Sequence, residues 1–517
     1  MTDPTDFISA YQAGALRNLF ALAPHDTTAA LELPRTVQNE ALVAALARYA
    51  RKLAAPPPVF AALEQLQRPD VRAVVTGQQV ALLLGPLFTL AKAVSAINLA
   101  HRLTSEARPV VPIFWLATQD HDSAEIDHAY LLDGQEVLHR LALPIPAQVP
   151  AGRIRLQPEW LAQIREALTG MAGVTEYRAE VLRLLEQAAA RAETFADWFA
   201  ALLYALLGDQ GLIIVNPLEP DIAPLLSPLL AAELAQPLAS VQAINQAAEA
   251  LKRRGFEPQL GRGEGATNLF LEEGGVRRLL RFDGKELFTE ARRYCPAELQ
   301  ALLAQEPSLI TPAAGLRPVA QDFLLPTAIT VVGPGELRYM AQLKGVYEAH
   351  GVAMPLLWPR VSVTLLEPPA ARLLDKYQLT ASDIVRRFEA TQQAVLLKLH
   401  GHGQRFDGVL ARLQQETAVL LSEVQTIDPT LRRPVMRGRN QLTRMVTRLR
   451  SKTAAALAWQ DETSVRQLRR LALHLRPEGV PQERLLSPVS FFLKFGTAYV
   501  MQQLLTLPPE GEHIIRL

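Results

Sequence analysis

The sequence predicts an α/β protein, with a doubly wound parallel core that is interrupted by two insertions and joined to a long antiparallel α-helical coiled coil. Three observations carry this. A strand, helix, strand pattern begins near residue 70. Three more short apolar runs, far apart in the chain, are each followed by a turn or helix signal. Residues 371–475 then carry apolar residues at seven-residue intervals.

In order, Ala73-Val74-Val75 is a short apolar run, Thr76-Gly77-Gln78-Gln79 reads as a loop, and Pro86 to Leu103 reads as a helix. A second apolar run, Val110 to Leu116, follows at once. Two strands flanking one helix form a βαβ unit, which demands a parallel sheet and a right-handed crossover. Leu212-Ile213-Ile214-Val215, Ile329-Thr330-Val331-Val332 and Pro355-Leu356-Leu357-Trp358 supply the remaining buried-strand candidates. On this reading the core comprises residues 1–128, 206–235 and 321–370, with residues 476–517 returning to it. Residues 129–205 form a first insertion of extended and helical pieces. Residues 236–320 form a second, running from a helix into short strands around Gly274-Gly275 and Asp283-Gly284. Insertions of this kind sit over the open edge of a sheet and shape a pocket.

Residues 371–475 read as the helical hairpin. Leu399, Phe406, Leu413 and Leu420 recur every seven residues, and Leu396, Leu410 and Val424 form a second register offset by three. Asp428 before Pro429 signals a new helix start, after which Val435, Leu442, Leu449 and Ala456 resume the heptad. Arms of about forty residues would project roughly 60 Å. A seam that long predicts a homodimer. Gly401, Gly403 and Gly408 interrupt the first arm at a cost of about 1 kcal/mol each, which predicts a kink. His400 and His402 fall on different helix faces and read as solvated side chains rather than metal ligands.

Hydrophobic residues make up 49% and charged residues 20% of the 517, which is ample for a buried core and too apolar for a disordered chain. The 53 basic side chains nearly cancel the 52 acidic ones, so no global field gathers nucleic acid or an anionic membrane. Small polar substrates fit that balance better. No basic segment followed by an apolar one opens the chain, and no run of eighteen apolar residues follows, so the expected location is the cytoplasm. Cys295 is the single cysteine, without a redox partner nearby, and reads as a structural thiol.

Three places can carry chemistry. In the first, Gln78 and Gln79 precede Gly85-Pro86, where a helix N-terminus offers free N–H groups to a phosphate or carboxylate. Thr89 and Lys92 lie one turn apart on that helix, supplying a hydroxyl and a cation, although a solvated lysine beside a tight turn is an equal reading. There is no phosphate-binding G-x-x-x-x-G-K-[ST] loop and no G-x-G-x-x-G after a strand. The second place is Gln119-Asp120-His121-Asp122, just beyond the strand ending at Leu116, where open α/β sheets bind ligands. Two carboxylates around an imidazole can orient an amine, hold Mg²⁺, or tune His121 toward general-base work. Asp122 also reads as a helix cap. Glu125 and His128 lie close, but without further His or Cys partners the cluster is a poor zinc site. The third place is Gly333-Pro334-Gly335-Glu336, leading into a helix with Tyr339 and Gln342; a plain turn is the better local reading.

Together these residues resemble the cysteine-adding enzymes of bacillithiol synthesis. The resemblance is carried by Thr76-Gly77-Gln78-Gln79 through Gly85-Pro86, Phe88-Thr89 and Lys92, then by Pro112-Ile113-Phe114-Trp115 with Asp120-His121-Asp122. It continues in Arg317-Pro318 with Gln321-Asp322 and Pro326, in Gly333 to Glu336 with Tyr339, Ala341 and Gln342, in Pro359-Arg360 with Ser362, and in Gln482-Glu483-Arg484. It spans almost the whole chain in order. Departures are small: Gln119 replaces an acidic residue, Leu84 a small one, Val332 a glycine and Met340 an aromatic. The resemblance implies a Rossmann-like core related to class I nucleotidyl-transferring synthetases, two connecting-peptide insertions, and a coiled coil that makes a homodimer. It further implies an amide-forming ligase that joins L-cysteine to the amine of glucosaminyl-malate, with ATP expected and Mg²⁺ possible. In that setting His121, Asp120 and Asp122 are the expected catalytic group, with His121 taking the amine proton. Lys92 and the Gly85 helix start would anchor the malate carboxylates, Gly335, Tyr339 and Arg360 would line the substrate, and Arg484 would contact nucleotide. The alternatives are an ATP-dependent ligase for another amino-sugar or carboxylate, and a noncatalytic dimeric nucleotide-binding scaffold.

Overall fold

The computed structural model describes residues 4–34 and 40–517. Its chain divides into two compact units, one running up to Val363 and taking in Leu485–His513, the other comprising Thr364–Arg484 and Ile514–Leu517.

The first unit is built on five parallel strands: β1 (Arg72–Gln78), β2 (Val110–Leu116), β3 (Ile213–Val215), β4 (Thr327–Val332) and β5 (Leu356–Pro359). They lie in the order β5-β4-β1-β2-β3. Every residue of β2, β3 and β4 is buried, as expected for strands covered on both faces. The chain winds from β1 through β2 to β3, then jumps back to lay β4 against the other side of β1. That reversal opens a crevice beyond the carboxyl ends of β1 and β4, the place where sheets of this kind bind ligands. Thr76 ties the two strands there, its hydroxyl donating to the Val331 carbonyl at 3.0 Å.

Thr76, Gly77 and Gln78 are strand rather than loop, paired with Phe114, Trp115 and Leu116. Gly77 is required by that pairing, because a Cβ there would stand 2.8 Å from the Trp115 carbonyl oxygen. The chain then turns through Leu83, Leu84 and Gly85, all with positive φ. Two leucines in the left-handed region store backbone strain. The returning C-terminal segment holds the turn: Ser487 Oγ donates to the Leu83 carbonyl at 2.7 Å, and the Leu87 N–H donates to the Leu486 carbonyl at 2.8 Å. Helix α1 therefore begins at Phe88 and runs to Leu103, and the Leu87 N–H just before it already has a partner. Eleven of its sixteen residues are buried, so Lys92 has no wet face along which to extend.

Between β2 and β3 lie a short helix, Ser123–Ile126, a hairpin, His128–Leu132 with Leu138–Ala142, and three longer helices. Between β3 and β4 lies an antiparallel sheet of five strands, in the order Ile310–Pro312, Ala266–Glu273, Val276–Phe282, Leu287–Phe288 and Arg293–Tyr294. Helices α2 (Arg317–Leu324) and α3 (Pro334–Met340) flank β4 in sequence.

The second unit holds two long helices, α4 (Gly403–Ile427) and α5 (Arg432–Gln460), joined by a short turn that the Asp428 carboxylate caps at the Thr430 N–H. With 25 and 29 residues, the arms extend about 40 Å, not 60 Å. The reason is a break at each base. Gly401, with φ +74°, ends the preceding helix Ala381–Leu399, and Asp461 restarts the chain as the helix Glu462–Leu475. These outer helices pack into a basal bundle around Leu374, Ile384, Val395, Leu468 and Leu471. The seam also shifts. Phe406, Leu410, Leu413, Thr417, Leu421 and Val424 are half-buried, whereas Leu420, Leu442 and Leu449 are 47%, 43% and 51% exposed. A straight helix drifts from a strict seven-residue repeat, so Leu421 takes the inward place expected of Leu420. On α5, Ala454 and Leu457 are buried in place of the Ala456 that the heptad puts inward.

Candidate active site

At the carboxyl end of β1, the Lys92 ammonium is enclosed. Its Nζ lies 2.7 Å from the Gly77 carbonyl, 3.0 Å from Gln78 Oε1 and 2.5 Å from Glu336 Oε2, one acceptor for each of its three N–H donors. Burial pushes its pKa down, Glu336 pulls it back, and the nearby Arg360 and Arg317 push it down again. Glu336 serves twice, because the same oxygen accepts the Gly333 N–H at 2.7 Å and so caps α3. An anion would have to compete with three protein oxygens for Lys92. The geometry suits it better to fixing Gln78 and Glu336 at the crevice floor than to anchoring a substrate carboxylate.

A second layer comes from α2. Arg317 donates to the Tyr339 hydroxyl at 3.0 Å and to Gln321 Oε1 at 3.2 Å. Gln321 Nε2 passes on to Asp322 Oδ1 at 3.0 Å, and the buried Tyr347 hydroxyl donates to Asp322 Oδ2 at 2.5 Å. Burial pushes the Asp322 carboxyl up to about 6, although Tyr347, Gln321 and Arg317 all act to lower it. Arg360 follows β5; its guanidinium lies 5.5 Å from the Phe88 ring centroid and donates to the Val361 carbonyl at 2.6 Å.

The Asp120-His121-Asp122 turn follows β2. Asp122 caps the short helix Ser123–Ile126, accepting the Ala124 N–H at 3.1 Å. His121 Nδ1 lies 3.1 Å from Nη1 of Arg277, and its ring packs edge-on against Phe270. Asp120 Oδ1 is 3.9 Å from the same nitrogen. Burial first, and Arg277 second, hold the His121 pKa below the ordinary imidazole value, while Asp120 and Asp122 draw it the other way. Arg317 and Tyr339 both feel the charge of Asp120, so this turn lies near the α2–α3 cluster.

Of the expected site residues, Gln78, Lys92, Tyr339 and Arg360 come together at the switch between β1 and β4, and Asp120, His121 and Asp122 lie beside them. Gly335 faces open space. Gln79 follows β1 and is half-buried. Thr89 is buried, and Gly85 belongs to the strained turn, where a Cβ would press on Ala81. Arg484 lies in the second unit, in the turn Gln482–Arg484. Glu336 and Arg317, present in the motifs but not expected in the site, are central to it. Arg277 carries no sequence signal at all, since it meets His121 across 156 residues of chain. Among the described residues no group of three or more His, Cys, Asp or Glu side chains is placed to hold a metal ion, and no helix is long and apolar enough to cross a membrane.

Two family models match in succession. Residues 4–361 match the N-terminal Rossmann-like domain of bacillithiol biosynthesis BshC, and residues 363–515 match its C-terminal coiled-coil domain. A protein of Thermus thermophilus that carries the provisional name cysteine ligase BshC is 42% identical over 473 residues, covering 90% of this chain and 92% of its own. Proteins with the same name from Salinibacter ruber and Symbiobacterium thermophilum are 32% and 31% identical. They cover 84% and 91% of this chain, and 81% and 88% of their own. With a parallel sheet, a crevice at its switch point and a coiled-coil unit all in the matching order, the chain belongs to the BshC family of bacillithiol biosynthesis.

Proposed function

We propose that this chain is a cysteine ligase of bacillithiol biosynthesis, joining the carboxyl of L-cysteine to the amine of glucosaminyl-malate. The observation that carries the reading is the crevice itself. With Lys92 paired to Glu336, the positive charge at the β1–β4 switch comes from Arg317 and Arg360, and the acidic Asp120-His121-Asp122 turn lies near it. A sugar with a malate dicarboxylate at one end and an amine at the other matches that division of charge. The malate end lies toward Arg317 and Arg360, and the amine toward Asp120.

A carboxylate and an amine do not condense unaided in water, so cysteine must arrive activated. We propose ATP as the source, giving an acyl phosphate or acyl adenylate, and the same arginines suit a phosphate-bearing leaving group. Mg²⁺ would then come on the nucleotide's phosphates, as is usual for that ion. The fold supports a relation to class I nucleotidyl-transferring synthetases, in which the segments between β2 and β3 and between β3 and β4 are connecting-peptide insertions. The coiled coil supports a homodimer, because Val419, Leu420 and Ile427 on α4 and Leu442, Met445 and Leu449 on α5 leave large apolar side chains exposed along both arms. We place the protein in the cytoplasm, where ATP is made.

Mass spectrometry of the protein mixed with cysteine and glucosaminyl-malate, with and without ATP and Mg²⁺, tests the reading. The expected product has the summed mass of both substrates less one water. Product from a different amine or carboxylate, found by substrate exchange, would replace it with another ligase. Absence of any product under every condition would leave a nucleotide-binding scaffold.

A further inference from the structure

Arg277 lies outside every motif of the sequence, yet it is the most completely engaged side chain near the Asp120-His121-Asp122 turn. It is 6% exposed. Its Nε donates to Thr311 Oγ1 at 3.0 Å and its Nη2 to the Pro312 carbonyl at 2.8 Å, and its guanidinium carbon sits 3.9 Å from the centroid of the Phe270 ring. Nη1 is thereby aimed at His121 Nδ1. A guanidinium has donors only, so Nδ1 must offer its lone pair and the ring proton must reside on Nε2. Burial lowers the Arg277 pKa to about 10, with Asp120 and Glu272 opposing, which leaves it charged at neutral pH.

We propose that His121 acts as a neutral N–H donor to the oxygen that turns negative when the amine attacks, and that Arg277 is the positioning residue that holds it in this tautomer. The proposal rests on the ligase reading above and changes the role expected of His121 there. A base needs a free lone pair, and the only one on this ring is already taken. Protonating Nδ1 would break that hydrogen bond and set two cations 3.1 Å apart. His121 Nε2 has no protein partner among the described residues and is free for substrate. The charged groups around the ring are Arg277, Asp120 and Asp122. Asp122 is committed to capping, while Asp120, with a side chain 42% exposed, keeps lone pairs for a proton.

In the ligation step the amine nitrogen bonds to the acyl carbon of activated cysteine, and the carbonyl π pair moves to oxygen, where the Nε2–H of His121 stabilises it. The amine proton passes to the Asp120 carboxylate and thence to water. Collapse of the oxyanion restores the carbonyl and expels the phosphate or nucleotide leaving group with its electron pair.

Long-range ¹H–¹⁵N spectra of the full-length protein labelled in its histidine rings test the tautomer without any substrate, with His121→Gln identifying the resonance. The expected ring is protonated on Nε2 alone at pH 8, and it titrates below the ordinary imidazole range. In Arg277→Met it becomes a tautomer mixture that titrates closer to the ordinary imidazole range, and Arg277→Lys restores the single tautomer in part. A ring protonated on Nδ1, or one unchanged in a folded Arg277→Met, overturns the proposal. Ligation supplies the second arm. His121→Gln keeps an amide N–H near the Nε2 position and should stay within about tenfold of the parent, whereas His121→Ala should lose about 10²-fold or more. Equal losses in the two would restore the base role. If no ligation occurs with the unmodified protein, the ligase reading fails while the tautomer result stands.

Discussion

Removing Glu336 should expose how much this fold depends on one buried charge. In Glu336→Ala the Lys92 ammonium keeps only two uncharged oxygens, from Gly77 and Gln78, inside a helix buried nearly all round. Breaking a buried pair by deleting one partner costs about 3–5 kcal/mol. An independent ceiling agrees. The lysine can always escape by losing its proton, and from an ordinary pKa of about 10.4 this costs about 4.6 kcal/mol at pH 7 and about 2 kcal/mol at pH 9. The sign follows from proton counting: the unfolded lysine binds a proton over this range and the folded variant does not, so the variant's stability rises with pH. Its deficit relative to the parent should shrink by up to about 1.4 kcal/mol per pH unit between pH 7 and 9. Urea unfolding at pH 7, 8 and 9 measures it directly. Lys92→Met in the Glu336→Ala background should recover most of the loss. A deficit below about 1 kcal/mol, or one that does not change with pH, would refute the claim that Lys92 is held charged by Glu336.

Three further outcomes are expected. Asp322, whose carboxyl is pushed up to about 6, binds a proton in the folded state at pH values where the unfolded aspartate has released it. It therefore withdraws about 3 kcal/mol of stability as pH rises from about 4 to above 6, and urea unfolding of parent minus Asp322→Asn across that window should show that step. Gly77→Ala should cost about 1–3 kcal/mol, since its Cβ would meet the Trp115 carbonyl at 2.8 Å; a melt unchanged from the parent would remove the packing argument. Met445→Glu with Leu449→Glu should leave the folded protomer within about 0.5 kcal/mol of the parent, while the proposed homodimer should give way to monomer in sedimentation. Persistence of the dimer would place its interface elsewhere.

The core strands are legible because strands covered on both faces read as unbroken apolar runs, and their carboxyl ends mark the crevice. Thr76-Gly77-Gln78 reads as a loop because glycine and glutamine are poor strand formers, and only pairing with Phe114 to Leu116 overrides that preference. Lys92 reads as a solvated or anion-binding cation, although a lone lysine among Ala91, Ala93, Val94 and Ala96 is itself a sign of burial. The hairpin is legible in kind but not in length or phase. Adjacent Leu420 and Leu421 satisfy either register, and one glycine at 401 is enough to end an arm. Arg277 is illegible because nothing local distinguishes a strand arginine that packs at the surface from one that crosses to another segment.

The placement of β4 beside β1 also governs when the site can exist. The two strands meet through residues 255 positions apart, as in the bond from Thr76 to Val331. At a synthesis rate of about 5–20 residues per second, β1 waits roughly 13–50 s on the ribosome before its neighbour emerges. Throughout that interval one edge of β1, whose middle residues Ala73 to Thr76 are buried in the finished fold, is unpaired, and Lys92 lacks the carboxylate that will neutralise it. The nascent chain is thus a natural client for chaperones, and any truncation before Glu336 yields an open-edged sheet prone to aggregation rather than a smaller enzyme.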